Sequence, residues 1–168
     1  MIPILINEGE LTIKSINKKD LNSIYNFLKE LNGKHKLYYD NDLSFDYIKK
    51  RYIETLINSM EYFCGIYSQN ELIGILKGRL EVKGELESWL MALYLKKNLL
   101  QKEEGNLILK NFEEYLYHVY NVRVFNVIVN DRCECDEFWE KNGYNFNRKL
   151  NYQDRVFNSY IYTKRRGG

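Results

Sequence analysis

The stretch Glu85-Leu-Glu-Ser-Trp-Leu-Met-Ala-Leu-Tyr-Leu95 decides the fold. Its first half alternates and its second half, Trp89 to Leu95, is the longest unbroken apolar run in the chain. A continuously apolar strand bounded by turn residues is usually buried on both faces and central in its sheet. Polar, irregular sequence follows from Lys96 to Glu104. Next comes a helical pattern with Ile108, Phe112, Tyr115 and Val119 on one stripe, ended by Asn121, and then Val122–Val129, which reads as another buried strand. Strand, crossover helix and strand in this order predict a parallel pair with a right-handed crossover. Ligands of open α/β sheets gather beyond the carboxyl ends of such strands. Here that place is the 96–105 loop and the start of the helix after it, where free N–H groups and a positive dipole end suit an anion such as a pyrophosphate.

Upstream, Glu10–Ile16 alternates and reads as a half-buried strand. Asn17 then reads as an N-cap with Asp20 at the third helical position, and Leu21, Ile24, Leu28 and Leu31 follow at helical spacing to Asn32-Gly33. His35–Asp42 reads as a loop, and Ser44 caps a second helix reaching about Asn58. Met60–Ser68 and Glu71–Val82 form a hairpin around Gln69-Asn70, and Lys83-Gly84 turns into the decisive strand. Downstream, Asp131-x-x-Glu134 reads as an acidic capping box opening a short helix that Gly143 ends. Strands near Tyr144–Tyr152 and Val156–Thr163 close the chain. The order is β-α-α-β-β-β-α-β-α-β-β: an α/β (α+β) fold, a twisted mixed sheet of about seven strands with about four helices, in one domain over residues 1–168.

Composition agrees with a single enzyme-sized domain. At 168 residues with 45% hydrophobic and 29% charged residues, the chain can bury a core and is neither disordered nor membrane-embedded. A net charge of +2 gives no concentrated basic surface for nucleic acid. The N-terminus lacks a basic n-region and a small-residue cleavage site, so a cytoplasmic address is expected. Three cysteines and two histidines, without zinc spacing, point to no disulfide framework and no metal. Cys133-x-Cys135 lies at a helix start, where thiols are activated, and reads as one interior partner and one bystander.

Five segments in order carry a family resemblance. They are Leu11-Thr-Ile-Lys…Asp20-Leu, Asn70-Glu-Leu-Ile-Gly74, the Leu93–Tyr115 stretch, Val127-Ile-Val-Asn130 and Phe138-Trp-Glu-Lys-Asn-Gly-Tyr144. Together they resemble the GCN5-related N-acetyltransferase (GNAT) superfamily over almost the whole chain. The resemblance implies acetyl-CoA as cosubstrate and transfer of its acetyl group to an amine, by direct attack in a ternary complex. It implies that the strand backbone at Leu93 and Leu95 receives the acetyl group and pantetheine arm. The loop Leu100, Gln101, Lys102, Glu103, Glu104, Gly105 and Asn106 would take the pyrophosphate, and Asn130 the pantetheine or adenosyl side.

The loop is degenerate. The family pattern Arg/Gln-x-x-Gly-x-Gly/Ala falls here on Leu100, Glu103 and Gly105, and only Gly105 keeps the expected residue. Glu103 approaches phosphates less freely than glycine, and two carboxylates stand near a polyanion. Lys96, Lys97 and Lys102 are the candidate counter-charges. Trp139 stands where the family often has a tyrosine acid, and indole N–H is not a useful acid. Tyr144 and Tyr94 are its substitutes in sequence.

Attack on a thioester needs a neutral amine, hence a base. Glu87 falls where some family members carry a glutamate base, and Glu85 points to the same side of the strand. A pair of strand carboxylates is equally an ordinary solvated face, Gly105 a helix-start glycine, and Asn130 a strand end or helix cap. Three functions therefore stand: an N-acetyltransferase for a small-molecule or peptide amine, monomeric or homodimeric; a non-catalytic module that keeps a coenzyme A or other ligand slot; and a structural or interaction protein with no ligand.

Overall fold

The computed structural model describes residues 1–35, 43–96 and 99–165, with backbone only for 32–35. The expected His35–Asp42 loop lies almost wholly outside the described residues. Eight strands and four α-helices form in the order β1 (Leu5–Glu8), β2 (Leu11–Ser15), α1 (Leu21–His35), α2 (Phe45–Ile57), β3 (Glu61–Ser68), β4 (Glu71–Lys83), β5 (Glu85–Leu95), α3 (Glu103–Tyr120), β6 (Val124–Asn130), α4 (Asp136–Lys141), β7 (Asn145–Tyr152) and β8 (Arg155–Thr163). The strands are hydrogen-bonded in the order β1-β2-β3-β4-β5-β6-β8-β7. The expected architecture is thus present with one more strand. β1 forms because Gly9, at φ 58°, turns the chain so that Leu5–Glu8 pairs with Leu11–Lys14. Among the described residues no helix is long and apolar enough to cross a membrane.

By their internal contacts the described residues of 1–77 and 93–96 form one compact unit, and those of 78–92 and 99–165 a second. In the first, the core is built from Ile16, Leu21, Ile24, Leu28, Ile48 and Phe63, all buried. Asn17 closes the entrance of α1 through a short 3₁₀ turn: its side-chain oxygen accepts from the Lys19 N–H at 2.8 Å, and its own N–H donates to Asp20 at 2.7 Å. Helix α1 runs two residues past the expected Asn32-Gly33 stop, to His35. A lone glycine inside a helix costs only about 1 kcal/mol, less than the packing of the Leu21–Leu31 face returns. Ser44 caps α2 by accepting from the Tyr47 N–H at 3.1 Å. Gln69 and Asn70 both have positive φ, the primed hairpin turn their types favour.

In the second unit β5 and β6 pair in parallel, β6 and β8 antiparallel, and β7 and β8 antiparallel. The β5–β6 ladder runs only from Glu87↔Val124 to Leu90↔Val127, although β6 continues to Asn130. Beyond Leu90 the apolar run is therefore not the doubly buried strand expected: Met91 is 49% exposed. The buried stripe of α3 is Gly105, Ile108, Leu109, Phe112, Glu113 and Leu116, so Val119, expected on it, faces outward at 53% exposure. The expected capping box at Asp131 is absent. Helix α4 starts five residues later behind Cys135, because the Asp131 N–H is spent on the Val156 carbonyl at 3.1 Å.

Candidate active site

Parallel register places Val124 opposite Glu87 and Asn126 opposite Trp89. Residues opposite one another share a face, and alternation sends Ser88 and Leu90 to the other. Glu87, Trp89 and Asn126 therefore line one side of the second unit's sheet. Phe125, on the opposite side, stacks with Tyr162, centroids 6.0 Å apart. Glu87 is half-buried, and its Oε2 accepts from the Asn126 Nδ2 at 3.1 Å. Asn126 itself is only 3% exposed. The Lys83 ammonium stands 4.4 Å from the centre of the Trp89 ring. Glu85 is exposed at the start of β5, on Glu87's side by alternation. The sequence reading passed over Asn126; its signal was a lone amide inside the apolar run Val124–Val129, where burial demands a partner.

After β5 the chain passes through a 3₁₀ turn, Leu99–Gln101, into α3. Lys102 is the N-cap of α3 and makes no side-chain cap bond. The loop is tight: a Cβ at Gly105 would lie 2.3 Å from the Leu99 carbonyl oxygen, so no other residue fits without moving the turn. The Gly105 requirement is thus met by the protein's own backbone. Glu103 and Glu104 lie in the first turn of α3. The Lys141 ammonium, 3.2 Å from Glu103, and then the Asn106 amide hold the Glu103 carboxyl below its usual range. Asn142 donates to the Asn106 side-chain oxygen at 2.9 Å, a second tie between α4 and this turn. The counter-charge thus comes from α4, which local sequence could not show. Lys96 instead pairs with Glu71 in the first unit, and Lys97 lies outside the described residues. Leu100 is half-buried and Gln101 exposed beside Lys102.

Leu95 is buried and Leu93 half-buried at the end of β5, in the first unit. Gly74 sits beside this end, where a Cβ would come 2.8 Å from the Tyr94 carbonyl oxygen. Asn130 ends β6, and its side-chain oxygen accepts from the Arg132 N–H at 2.9 Å, turning the chain.

Trp139 is buried in α4, edge-on to Tyr144 with centroids 5.3 Å apart, and its indole N–H has no hydrogen-bond partner among the described residues. The Tyr144 hydroxyl donates to Glu113 at 2.6 Å. Burial is the main cause that pushes the Glu113 carboxyl up to about 7, with Tyr144 and Lys164 opposing it. Tyr144 therefore spends its hydroxyl inside the second unit's core, and Tyr94 is half-buried in the first. Cys133 and Cys135 are joined as a disulfide ahead of α4, in place of the expected partner and bystander. Two thiols separated by one residue in a sharp turn meet the reach the bond requires, with Cα atoms 5.2 Å apart.

Residues 13–163 match the family model described as an acetyltransferase (GNAT) domain. No curated protein matches the sequence. Among solved structures, a ribosomal L7/L12 alpha-N-protein acetyltransferase, RimL, in complex with coenzyme A is similar at 12% identity and TM-score 0.79, over 96% of this chain and 98% of that one. The acetyl transferase from Salmonella typhimurium that modifies the N-terminal serine of L7/L12 is similar at 13% identity and TM-score 0.80, over 95% and 99%. The Vibrio cholerae spermidine N-acetyltransferase in complex with coenzyme A and spermine is similar at 16% and 0.72, over 94% and 97%. At these identities the likeness is one of fold.

Proposed function

The chain belongs to the acetyltransferase (GNAT) domain family, a family of N-acetyltransferases, and from that premise we propose that it moves an acetyl group from acetyl-CoA to a primary amine by direct attack in a ternary complex. The observation that carries the reading is the open entrance of α3. Its N-cap Lys102 leaves the first-turn N–H groups without a side-chain cap, in the segment that follows, in chain order, the strand paired in parallel with β6. Such N–H groups and the helix dipole suit the phosphates of a nucleotide thioester.

Under this reading the backbone from Leu100 to Asn106 holds the pyrophosphate, with Gln101, Lys102, Glu104 and Gly105 in that turn. Lys141 offsets the Glu103 charge. The backbone at Leu93 and Leu95 orients the acetyl group and the pantetheine arm, and Asn130 binds the pantetheine or adenosyl side. Acetyl-CoA supplies an activated acyl carbon and a stable thiolate leaving group. Glu87 takes the proton of the attacking ammonium, and Glu85 on the same strand face adds attraction for a cation. The whole chain acts as one domain in the cytoplasm, and no metal enters the scheme. The acceptor is a peptide N-terminus or a polyamine, the two classes named for the similar structures.

One observation favours the non-catalytic alternative: Trp139 replaces the usual acid, and the Tyr144 hydroxyl is engaged by Glu113. The test begins with a thermal melt. Acetyl-CoA at a hundred times its dissociation constant stabilises by about 2.7 kcal/mol, a rise of roughly 5–10 °C. Free adenosine diphosphate serves as control. Thiol release is then followed with spermidine and with a peptide bearing an N-terminal serine. Glu87→Gln slows turnover at saturating acetyl-CoA about 100-fold and leaves the melt shift unchanged. A melt shift without thiol release selects the binding module. No shift at millimolar cofactor removes the acetyltransferase reading and leaves a module for another ligand or for none.

A further inference from the structure

We propose that Asn126 is a positioning residue for this reaction. Its side-chain amide fixes the Glu87 carboxylate by one oxygen and leaves the other to take the acceptor's proton. The proposal rests on the reading of Glu87 as the base.

The case starts from cost. Asn126 is 3% exposed in a strand otherwise made of Val, Phe and Ile between Val124 and Val129. A valine or leucine there would bury apolar surface without the penalty of desolvating an amide. Buried polar groups elsewhere are satisfied as well: Thr55 donates to the Arg51 carbonyl at 2.8 Å and lies 3.3 Å from the Glu61 carboxylate, and Glu113 is met by Tyr144 within the core. Asn126 joins the interior of its sheet to the half-buried Glu87 carboxylate on the strand paired with its own, at 3.1 Å.

The geometry follows from register. Glu87 is opposite Val124, and Asn126 lies two residues farther along β6 on the same face, so the two are diagonal neighbours. A glutamate with three side-chain torsions samples many rotamers when free. Tied by Oε2, it is held in one orientation. Among the described residues nothing else bonds to it, so Oε1 is left to the substrate. Holding a reacting group in place is worth up to about 100-fold in rate when misplacement reaches 1 Å.

The experiment is a double-mutant cycle on the full chain. Thiol release is followed at saturating acetyl-CoA, with whichever of spermidine and the serine peptide is turned over. Asn126→Leu lowers kcat by about 10- to 100-fold and leaves the acetyl-CoA melt shift intact. In the Glu87→Gln background the same change costs nothing further, because there is no longer a base to position. Effects that multiply, or an Asn126→Leu enzyme as fast as wild type, overturn the proposal. A Glu87→Gln enzyme at full rate instead overturns the reading of Glu87 itself. Asn126→Asp keeps the shape without the donor and serves if Asn126→Leu does not fold. Its kcat falls in the same range, and wild-type kcat overturns the proposal. Independently of any acceptor, the Asn126 side-chain amide protons, followed by NMR, shift in Glu87→Gln. Unmoved protons overturn the hydrogen bond on which the proposal stands.

Discussion

Two strand-to-helix junctions are built in opposite ways. Where β2 enters α1, Asn17 and Asp20 satisfy each other's backbone reciprocally, and the helix entrance is closed by its own side chains. Where β5 enters α3, a lysine occupies the cap position without a side-chain cap bond, and two glutamates crowd the first turn. Orphan N–H groups at a helix start are met by caps, water or ligands. The first junction therefore contributes stability by itself. Under the proposed function, the second leaves that contribution to the anion it would bind. Their glycines differ in the same sense: none is needed near Asn17, whereas Gly105 lets α3 pass against the Leu99 carbonyl.

The largest effect separating the two junctions is expected from Gly105→Ala. The added Cβ must push the Leu99 turn away. Overpacking of this kind costs about 1–3 kcal/mol, and it displaces the N–H groups the pyrophosphate would meet. A melt lowered by several degrees, with acetyl-CoA affinity reduced at least about tenfold, is the expected pair of results. Full affinity in this variant would mean that the phosphates are held elsewhere. Asn17→Ala is the mirror experiment. It removes a cap worth about 1 kcal/mol and lowers the melt by roughly 2–4 °C, while acetyl-CoA affinity stays at the wild-type value. A loss of affinity there would erase the contrast between a structural and a binding entrance.

What could be read in the sequence divides along the same line. The Asn17 cap, the Ser44 cap, the Gln69-Asn70 turn and the Asn121 stop are short-range chemistry. Each depends on residues within a few positions, and each is where local pattern placed it. The parallel β5–β6 pair was legible because period and length leave few other topologies. The missing pieces are long-range. Lys141 reaches Glu103 across 38 residues, and Asn126 reaches Glu87 across 39. No periodicity encodes such partners, and only the register of β5 on β6 and the docking of α4 bring them together. The Asp131 capping box failed for the same reason, since a cross-strand bond to Val156 competes with the local helix start. β1 escaped notice because four residues with one glycine turn carry too little pattern to register as a strand.

The smallest expected effect sharpens the comparison most, because it asks whether the glutamates of α3 are tolerated or used. Glu103 is 87% exposed, so its interactions are weakened by solvent. In Glu103→Gln the Lys141 ammonium loses its carboxylate and turns to the phosphates, and one negative charge leaves their vicinity. Acetyl-CoA should then bind about two- to fivefold tighter in low salt, and the gain should fade near 1 M salt, where the screening length is about 3 Å. Lys141→Ala should move affinity by a similar factor the other way, because Glu103 is then left uncompensated beside a polyanion. Titrations of both variants at two salt concentrations check this. Opposite, salt-sensitive shifts would place the Glu103–Lys141 pair within reach of the phosphates and explain how a loop without the family's second glycine position still serves. Two variants indistinguishable from wild type would make the pair a tie between α3 and α4 alone, and the open entrance at Lys102 would have to do its work through backbone N–H groups unaided.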